Sequence, residues 1–401
     1  MISSYDFVIF LSEDWDAFFR RYLLGVLAEQ LPMSKVVCVD RPVCLVTTPL
    51  RDPVRWLKQT AGRDRLRKLS NNLFVYRPWV FLHDHVAAKL PFMPILNGEW
   101  LRRQLKGVIN SLGLRQDRLI VWIYDPLQEE CLGLVSECLS VYECYDEYSA
   151  WPGVPVLRTR GDLVAREERI LGRVDVIFVV SEALYERKRL FNPNVHVISN
   201  AVDARHFGLA RDESTRLAED VTDISHPIIG YLGNLTDRIN FALLLELARA
   251  RAEWSLVLVG GTTTRLQNKA SRRNFAILQQ MPNVYLLGAK PYEKLPSYLK
   301  AFDVCLIPYA AADVFNVYCS PLKLYEYLAT GKPIVSTDLP AVRPFEGLVR
   351  IARHVTEFEQ QVAEALQEQG ETLRQQRLAA AQENSWEKRV EEIIALIAGC
   401  L

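Results

Sequence analysis

The sequence predicts an α/β protein built from two domains, each a doubly wound parallel sheet. Three observations carry this. A chain of 401 residues exceeds one ordinary domain and suits two. Short β-rich runs alternate with segments of helical period, the pattern of parallel strands joined by crossover helices. Several runs, VDVIFVVS and WSLVLVGG among them, are apolar without interruption, as strands covered on both faces must be.

In order, the expected strands are 5–11, 35–39, 73–76, 119–124, 140–145, 174–180 and 195–198, then 228–232, 256–259, 284–287, 304–308 and 333–337. Helices fall between them, for example over 241–251 and 293–301. The charged, weakly periodic stretch after Asn200-Ala201-Val202-Asp203 reads as a connection. The expected division is therefore a domain over 1–205, a linker over 206–226, a domain over 227–384 and a terminal segment over 385–401. In that last segment Val390, Ile393, Ile394 and Ile397 recur at helical spacing, so the helix is expected to pack back toward the first domain.

Composition narrows the function classes. Apolar residues make up 49% and charged residues 24%, a globular balance. Lys plus Arg equals Asp plus Glu at 48 each, so global charge gives no argument for nucleic-acid binding, and none is expected. No apolar run reaches the roughly 18–20 residues that span a bilayer. The start lacks a basic n-region and carries Asp6, Glu13, Asp14 and Asp16, so it does not read as a signal peptide and a cytoplasmic location is expected. The eight cysteines show no C-x-x-C, and most sit inside apolar runs, where a reduced thiol is a small hydrophobe.

The most informative stretch is YCSPLKLYEYLATGKPIVSTDLP, residues 318–340. Ser320 is a good N-cap, Pro321 suits the first helical position, and Gly331 with Pro333 ends the helix, predicting a helix over about 321–330. It follows a buried strand and a loop, so its N-terminus lies at the carboxyl end of the sheet, where doubly wound folds bind ligands. Lys323 adds a full positive charge in the first turn. Glu326, one turn deeper on the same face, can accept hydrogen bonds from two vicinal ribose hydroxyls. Leu324 and Leu328 take the buried side. Together these describe a nucleoside-diphosphate site; the plain alternative is a surface Lys–Glu pair on an ordinary helix.

GYLGNLTDR adds to the first reading. Gly230 and Gly233 bracket a strand-to-loop turn with Asn234 beside it, and Arg238 could clamp a phosphate bidentately. Gly260-Gly261 marks another tight turn at the same sheet end. Neither a dinucleotide fingerprint nor a P-loop is present.

The second half resembles the donor domain of GT-B glycosyltransferases of the family 4 type, the glycosyl transferases group 1. SPLKLYEYLATGKPIV is similar to that family's helix motif, and NVYLLGAKPYEKLPSYLKAFDVCLIPY to the segment before it. DVIFVVSEAL followed by VHVISNAVDARHF resembles its strand–Ser–helix and linker signature, with Ala201 where Gly is usual. The resemblance implies two Rossmann-like domains facing a central cleft. It makes Glu326 the ribose-binding glutamate, and Lys323 and Arg238 the diphosphate contacts. Gly233, Asn234, Gly260, Ser320, Pro321 and Leu322 line the donor site on the same reading. Tyr318 stands where the family has the first glutamate of its E-x7-E pattern, a contact to the transferred sugar. VYECYDEYS aligns with the family's VHxHD-type segment, with Tyr145 where His is common and Asp146 retained.

Tyr145, Asp146 and Glu147 end a strand, and a carboxylate or phenol there could orient an acceptor hydroxyl or stabilise an oxocarbenium-like transition state. The competing reading is an ordinary strand-end turn. After the first strand come Glu13, Asp14, Trp15 and Asp16, then Arg20 and Arg21. Asp14, Trp15, Asp16 and Arg20 are expected as acceptor contacts, with N-capping of the next helix by Asp14 or Asp16 preferred over metal binding by their D-x-D spacing. His83-x-His85 lacks a third ligand. Residues 51–68 carry Arg51, Arg55, Lys58, Arg63, Arg65, Arg67 and Lys68 with Val54, Trp56 and Leu57 interleaved. With the apolar run 79–96, they raise peripheral contact with anionic lipid against the alternative of a solvated face plus core.

The expectation is a transferase with no metal or cofactor. It would move a sugar from a nucleotide-diphosphate sugar, UDP-linked by default, to a hydroxyl of a glycan or lipid-linked saccharide in cell-surface polysaccharide synthesis, with retention implied by the resemblance. Lys323, Arg238, Tyr145 and Asp146 are the expected catalytic groups. The alternatives are a nucleotide-sugar epimerase and a non-catalytic binding or scaffold protein.

Overall fold

The computed structural model describes residues 2–46, 65–82, 90, 92–150, 160–262 and 266–401. Two compact units emerge from the contacts: Met1–Ile198 with Arg389–Leu401, and Ser199–Lys388.

In the first unit the strands are β1 (Asp6–Phe10), β2 (Val36–Val39), β3 (Val43–Cys44), β4 (Leu66–Lys68), β5 (Leu73–Tyr76), β6 (Trp79–Val80), β7 (Leu119–Ile123), β8 (Leu139–Cys144), β9 (Val176–Val179) and β10 (Val195–Val197). Eight of them form one sheet in the order β10-β9-β8-β7-β1-β2-β5-β4, and β3 pairs with β6. All neighbours in the large sheet are parallel except β4 on β5. The register sets Asp6 opposite Leu119 and Phe7 opposite Val36. Chain order reverses between β1 and β7, so the crevice expected of a doubly wound sheet opens past Phe10 and Ile123. The helices Arg21–Gln30, Met93–Leu112, Arg160–Leu171 and Glu182–Lys188 complete the crossovers among the described residues.

The second unit has β11 (Ile228–Leu232), β12 (Ser255–Val259), β13 (Val284–Gly288), β14 (Val304–Ile307), β15 (Ile334–Thr337) and β16 (Arg350–Ala352). They form one parallel sheet, β13-β12-β11-β14-β15-β16, with the reversal between β11 and β14. β11, β12, β14 and β15 are buried along their whole length, which explains why they are largely apolar, with Ser255, Ser336 and Thr337 at strand ends. The last helix, Trp386–Cys400, begins in this unit, and its residues from Arg389 belong to the first.

Every strand expected from sequence forms, to within a residue or two at the ends. Several expectations need correction. The stretch read as a linker instead joins the second unit's core: Phe207, Ala210, Val221 and Ile224 are buried there, and Asp203 caps the short helix Ala204–Gly208. Neither Asp14 nor Asp16 caps the helix after β1, because that helix starts at Arg21 with Arg20 at the cap position. Gly230 lies inside β11, where a Cβ would fall 2.1 Å from the Phe302 ring; its role is packing, not anion approach. The eight cysteines are thiols, with Cys38, Cys44, Cys144, Cys305 and Cys319 buried. Among the described residues no helix is long and apolar enough to cross a membrane.

Candidate donor site and the first-unit crevice

At the reversal in the second unit, β11 and β12 are followed by Gly233 and Gly260, both at positive φ (149° and 154°). The two turns touch. A Cβ on Gly260 would lie 1.9 Å from the Gly233 carbonyl oxygen, and one on Gly233 would lie 2.3 Å from Lys323 Cε and 3.1 Å from its Nζ. Only glycine permits this approach. The Lys323 ammonium is thereby laid along the backbone of the β11 turn, with Asn234 exposed beside it.

Lys323 comes from the helix Leu322–Leu328, shorter than the 321–330 expected. Pro321, not Ser320, is its cap residue, and no side chain caps it. Ser320 is used otherwise. Its Oγ accepts from the Asn200 N–H (3.2 Å) and meets Tyr325 Oη (3.1 Å), while Asn200 Nδ2 donates to the Ser320 carbonyl (2.5 Å). With only seven residues the helix has a small dipole, so the Lys323 charge carries most of any attraction to an anion. Leu324 and Leu328 are fully buried, and Gly331 ends the element at φ 72°, both as expected.

Glu326 sits one turn below Lys323, 9% exposed, and its Oε2 is buried with no hydrogen-bond partner. Burial pushes its carboxyl above the usual range, and the charges of Lys323 and His206 pull it partly back. A buried carboxylate oxygen without a donor is costly, by roughly 1–3 kcal/mol or more, unless something supplies one. His206 stacks on Tyr292 at 4.2 Å and 13°, and its Nε2 lies 3.0 Å from the Tyr292 carbonyl. A carbonyl only accepts, so Nε2 carries the proton.

Arg238 is half-buried at the same sheet end. Its Nε donates to Asn316 Oδ1 (3.0 Å), and its guanidinium stands 5.5 Å from the Tyr309 ring and 5.9 Å from Phe315. Asn316 is itself fixed, donating to the carbonyls of Arg238 and Ala310. Tyr318 ends the helix Val314–Tyr318 and is half-exposed.

Sequence reasoning named Gly233, Gly260, Arg238, Lys323 and Glu326, and the fold gathers them at one end of one sheet. It missed Asn200, His206, Tyr292 and Asn316. The only available signal was the VISNAVDARHF string, which contains Asn200 and His206 without saying what they touch.

The first unit treats its named residues differently. Tyr145 Oη bonds Ser12 Oγ at 2.7 Å, joining the ends of β8 and β1, and the ring packs edge-on to Phe19 at 5.2 Å. Burial drives its phenol well above the usual range, although the Ser12 hydrogen bond acts the other way. Asp146 is half-exposed beside it, its carbonyl accepting from Cys144 Sγ. Trp15 is buried, its N–H donating to Asp40 Oδ1 (2.8 Å), while the exposed Asp16 lies 3.6 Å from Arg67. Asp14 is half-exposed, and its carbonyl accepts from Ala17 and Phe18 in the turn before the helix.

Two acceptor-side expectations are overturned. Arg20 is fully buried, 2.7 Å from the buried Glu143, so it holds the core rather than meeting a substrate. Glu147 is also buried, between Arg187 (3.1 Å) and Lys188 (3.7 Å), with Lys188 bound to Glu167 at 2.7 Å. Among the described residues no three His, Cys, Asp or Glu side chains are grouped as a metal site would need. His83, His85 and the basic residues Arg51, Arg55, Lys58 and Arg63 lie outside the described residues.

Residues 226–368 match the model of the glycosyl transferases group 1 family. Over 239 residues the chain is 26% identical to TuaH of Bacillus subtilis strain 168, named as a teichuronic acid biosynthesis glycosyltransferase. That match covers 56% of this chain and 57% of TuaH, so the chain spans little more than half of that relative's length. Similarity in fold extends further. Sucrose-phosphate synthase of Thermosynechococcus elongatus superposes with a TM-score of 0.71 at 16% identity, covering 98% of both chains. HepE of Anabaena, solved in complex with UDP and glucose, gives 0.62 at 13%, covering 98% of this chain and 99% of its own. The chain thus has a GT-B fold of two Rossmann-like domains, with residues 226–368 matching the glycosyl transferases group 1 model.

Proposed function

We propose that the protein transfers a sugar from a nucleotide-diphosphate sugar to a hydroxyl of a glycan or lipid-linked saccharide in cell-surface polysaccharide synthesis. The observation that carries this is the pairing of Lys323, laid over the Gly233 turn, with the buried, unpartnered Glu326 oxygen one turn below. A diphosphate suits the first and a ribose diol the second. UDP is the nucleotide of choice, supported by the UDP held by HepE. TuaH's place in teichuronic acid biosynthesis supports the surface-polysaccharide assignment.

On this reading Lys323 and Arg238 stabilise the diphosphate as its bond to the anomeric carbon breaks. Gly233, Asn234, Gly260, Ser320, Pro321 and Leu322 wall the donor, and Tyr318 faces the transferred sugar. Asp146 and Tyr145 orient the acceptor hydroxyl, whose oxygen bonds to the anomeric carbon as its proton passes to the departing diphosphate oxygen. Asp14 and Asp16 contribute to acceptor recognition, whereas Trp15 is buried and supports the loop from below. Retention of configuration and independence of metal are part of the proposal. So is a cytoplasmic location with peripheral contact to anionic membrane.

Calorimetric titration with UDP, GDP, dTDP and ADP tests the donor half. One diphosphate should bind, and Glu326→Ala and Lys323→Ala should each weaken it at least tenfold, about 1.4 kcal/mol. Failure of all four to bind would remove the donor-site assignment and leave a non-catalytic protein.

A further inference from the structure

The helix Met93–Leu112 ends toward its N-terminus in apolar side chains that nothing described covers. Phe92 is 73% exposed, Ile95 65% and Leu96 50%, with Leu90 exposed just before them. The opposite side of the same helix is core, through Asn97, Leu101, Leu105, Val108 and Ile109. Along the outer face the residues after Leu96 change character: Glu99, Arg102, Arg103 and Lys106 follow at helical spacing, and Glu99 lies 3.7 Å from Arg102. Just before β4, Arg65 lies at the flank of the helix, its Nη1 3.3 Å from Gln104 Oε1 and its guanidinium 4.4 Å over Trp79. The outer face therefore presents an apolar tip, then three cations against one carboxylate, with Arg65 as a fourth cation at its flank.

We propose that this helix end docks on an anionic bilayer, with Phe92, Ile95 and Leu96 entering the boundary between headgroups and acyl chains and Arg65, Arg102, Arg103 and Lys106 meeting lipid phosphates. The contact deepens the membrane association proposed above and rests on that reading. Spacing fits the layer. At 1.5 Å per residue Arg103 lies roughly 12 Å behind Ile95 along the axis, about the distance by which headgroup phosphates stand outside a shallowly buried apolar side chain. The long cationic side chains can extend to phosphate while their stems stay against apolar surface. Charge also decides the occupant. A second copy meeting this face across a two-fold axis would set like charges against each other around the apolar tip, whereas an anionic surface attracts all four cations.

The test is co-sedimentation with vesicles of phosphatidylcholine alone and of phosphatidylcholine with phosphatidylglycerol. The protein should pellet with the anionic vesicles only, and less at high salt. Ile95→Ser with Leu96→Ser should lower the partition coefficient at least tenfold, and Arg103→Gln with Lys106→Gln should remove the preference for anionic lipid. All four positions are solvent-facing, so unchanged circular dichroism and melting temperature should accompany these losses. Failure of the unmodified protein to pellet, or pelleting unaffected by either pair, would overturn the proposal. So would a concentration-dependent dimer that the Ile95/Leu96 pair abolishes, since a second copy would then be the occupant. Diphosphate titration of the same samples reports the donor reading separately, so either can fail alone.

Discussion

Replacing Gly233 by alanine isolates what the β11 turn does for Lys323. The added Cβ would fall 2.3 Å from Lys323 Cε, so the side chain must retreat by about 1 Å to restore ordinary contact. Two of the obstructing atoms belong to the far end of a flexible lysine, and the third is the hydroxyl of the buried Tyr231 at 2.8 Å, which must give way by a smaller amount. Moving a unit charge from about 4 to about 5 Å from a phosphate at an effective dielectric near 20 loses roughly 0.8 kcal/mol. Against two phosphates the loss is about 1–2 kcal/mol, a five- to thirtyfold weaker diphosphate. The positive φ adds strain of about 1–2 kcal/mol to the fold, visible in urea denaturation. Gly230→Ala is the control: its Cβ meets the Phe302 ring at 2.1 Å, so stability should fall by about 1–3 kcal/mol with the lysine undisturbed. Calorimetry against the preferred diphosphate reads the first effect. If Gly233→Ala binds within twofold of the parent while Lys323→Ala loses tenfold, the turn does not position the lysine and the reasoning fails.

Glu326→Gln should separate stability from binding. Burial raises the Glu326 carboxyl in the folded state, so the fold loses stability as pH climbs from the unfolded carboxylate range through that raised value. The glutamine variant should therefore melt higher than the parent at pH 8, with the gap closing toward pH 4, while diphosphate-sugar affinity drops; a variant that melts lower at pH 8 contradicts this. In the first unit, Arg20→Met leaves the buried Glu143 without its cation and should destabilise by about 3–5 kcal/mol in urea, with Glu143→Leu on the same background recovering most of it. Recovery absent from the double variant would mean that the pair is not the reason for the loss.

The sequence by itself determined the strands, because a strand buried on both faces is mostly apolar: β7, β9 and β14 are so at every position, and β11 and β12 depart from it only at Gly230, Tyr231 and Ser255. Short edge elements were illegible for the same reason: β4 is Leu-Arg-Lys and half-exposed, so no burial pattern marks it. Glu326 and Lys323 could be paired in advance, since three residues along a helix fix their shared face. What surrounds them could not. Asn200 reaches Ser320 across 120 positions, His206 reaches Tyr292 across 86, and Arg238 reaches Asn316 across 78. Arg238 and Asn316 meet because the parallel sheet reverses its order between β11 and β14, which sets the loops after those two strands side by side. Arg20 shows the converse. Its charge and its place after the first strand suggested a substrate contact, but the next turn aims it inward at Glu143, on a strand whose other residues gave no hint of a buried acid. Local pattern records which face of an element is dry; which charges share the dry space is decided by how distant elements stack.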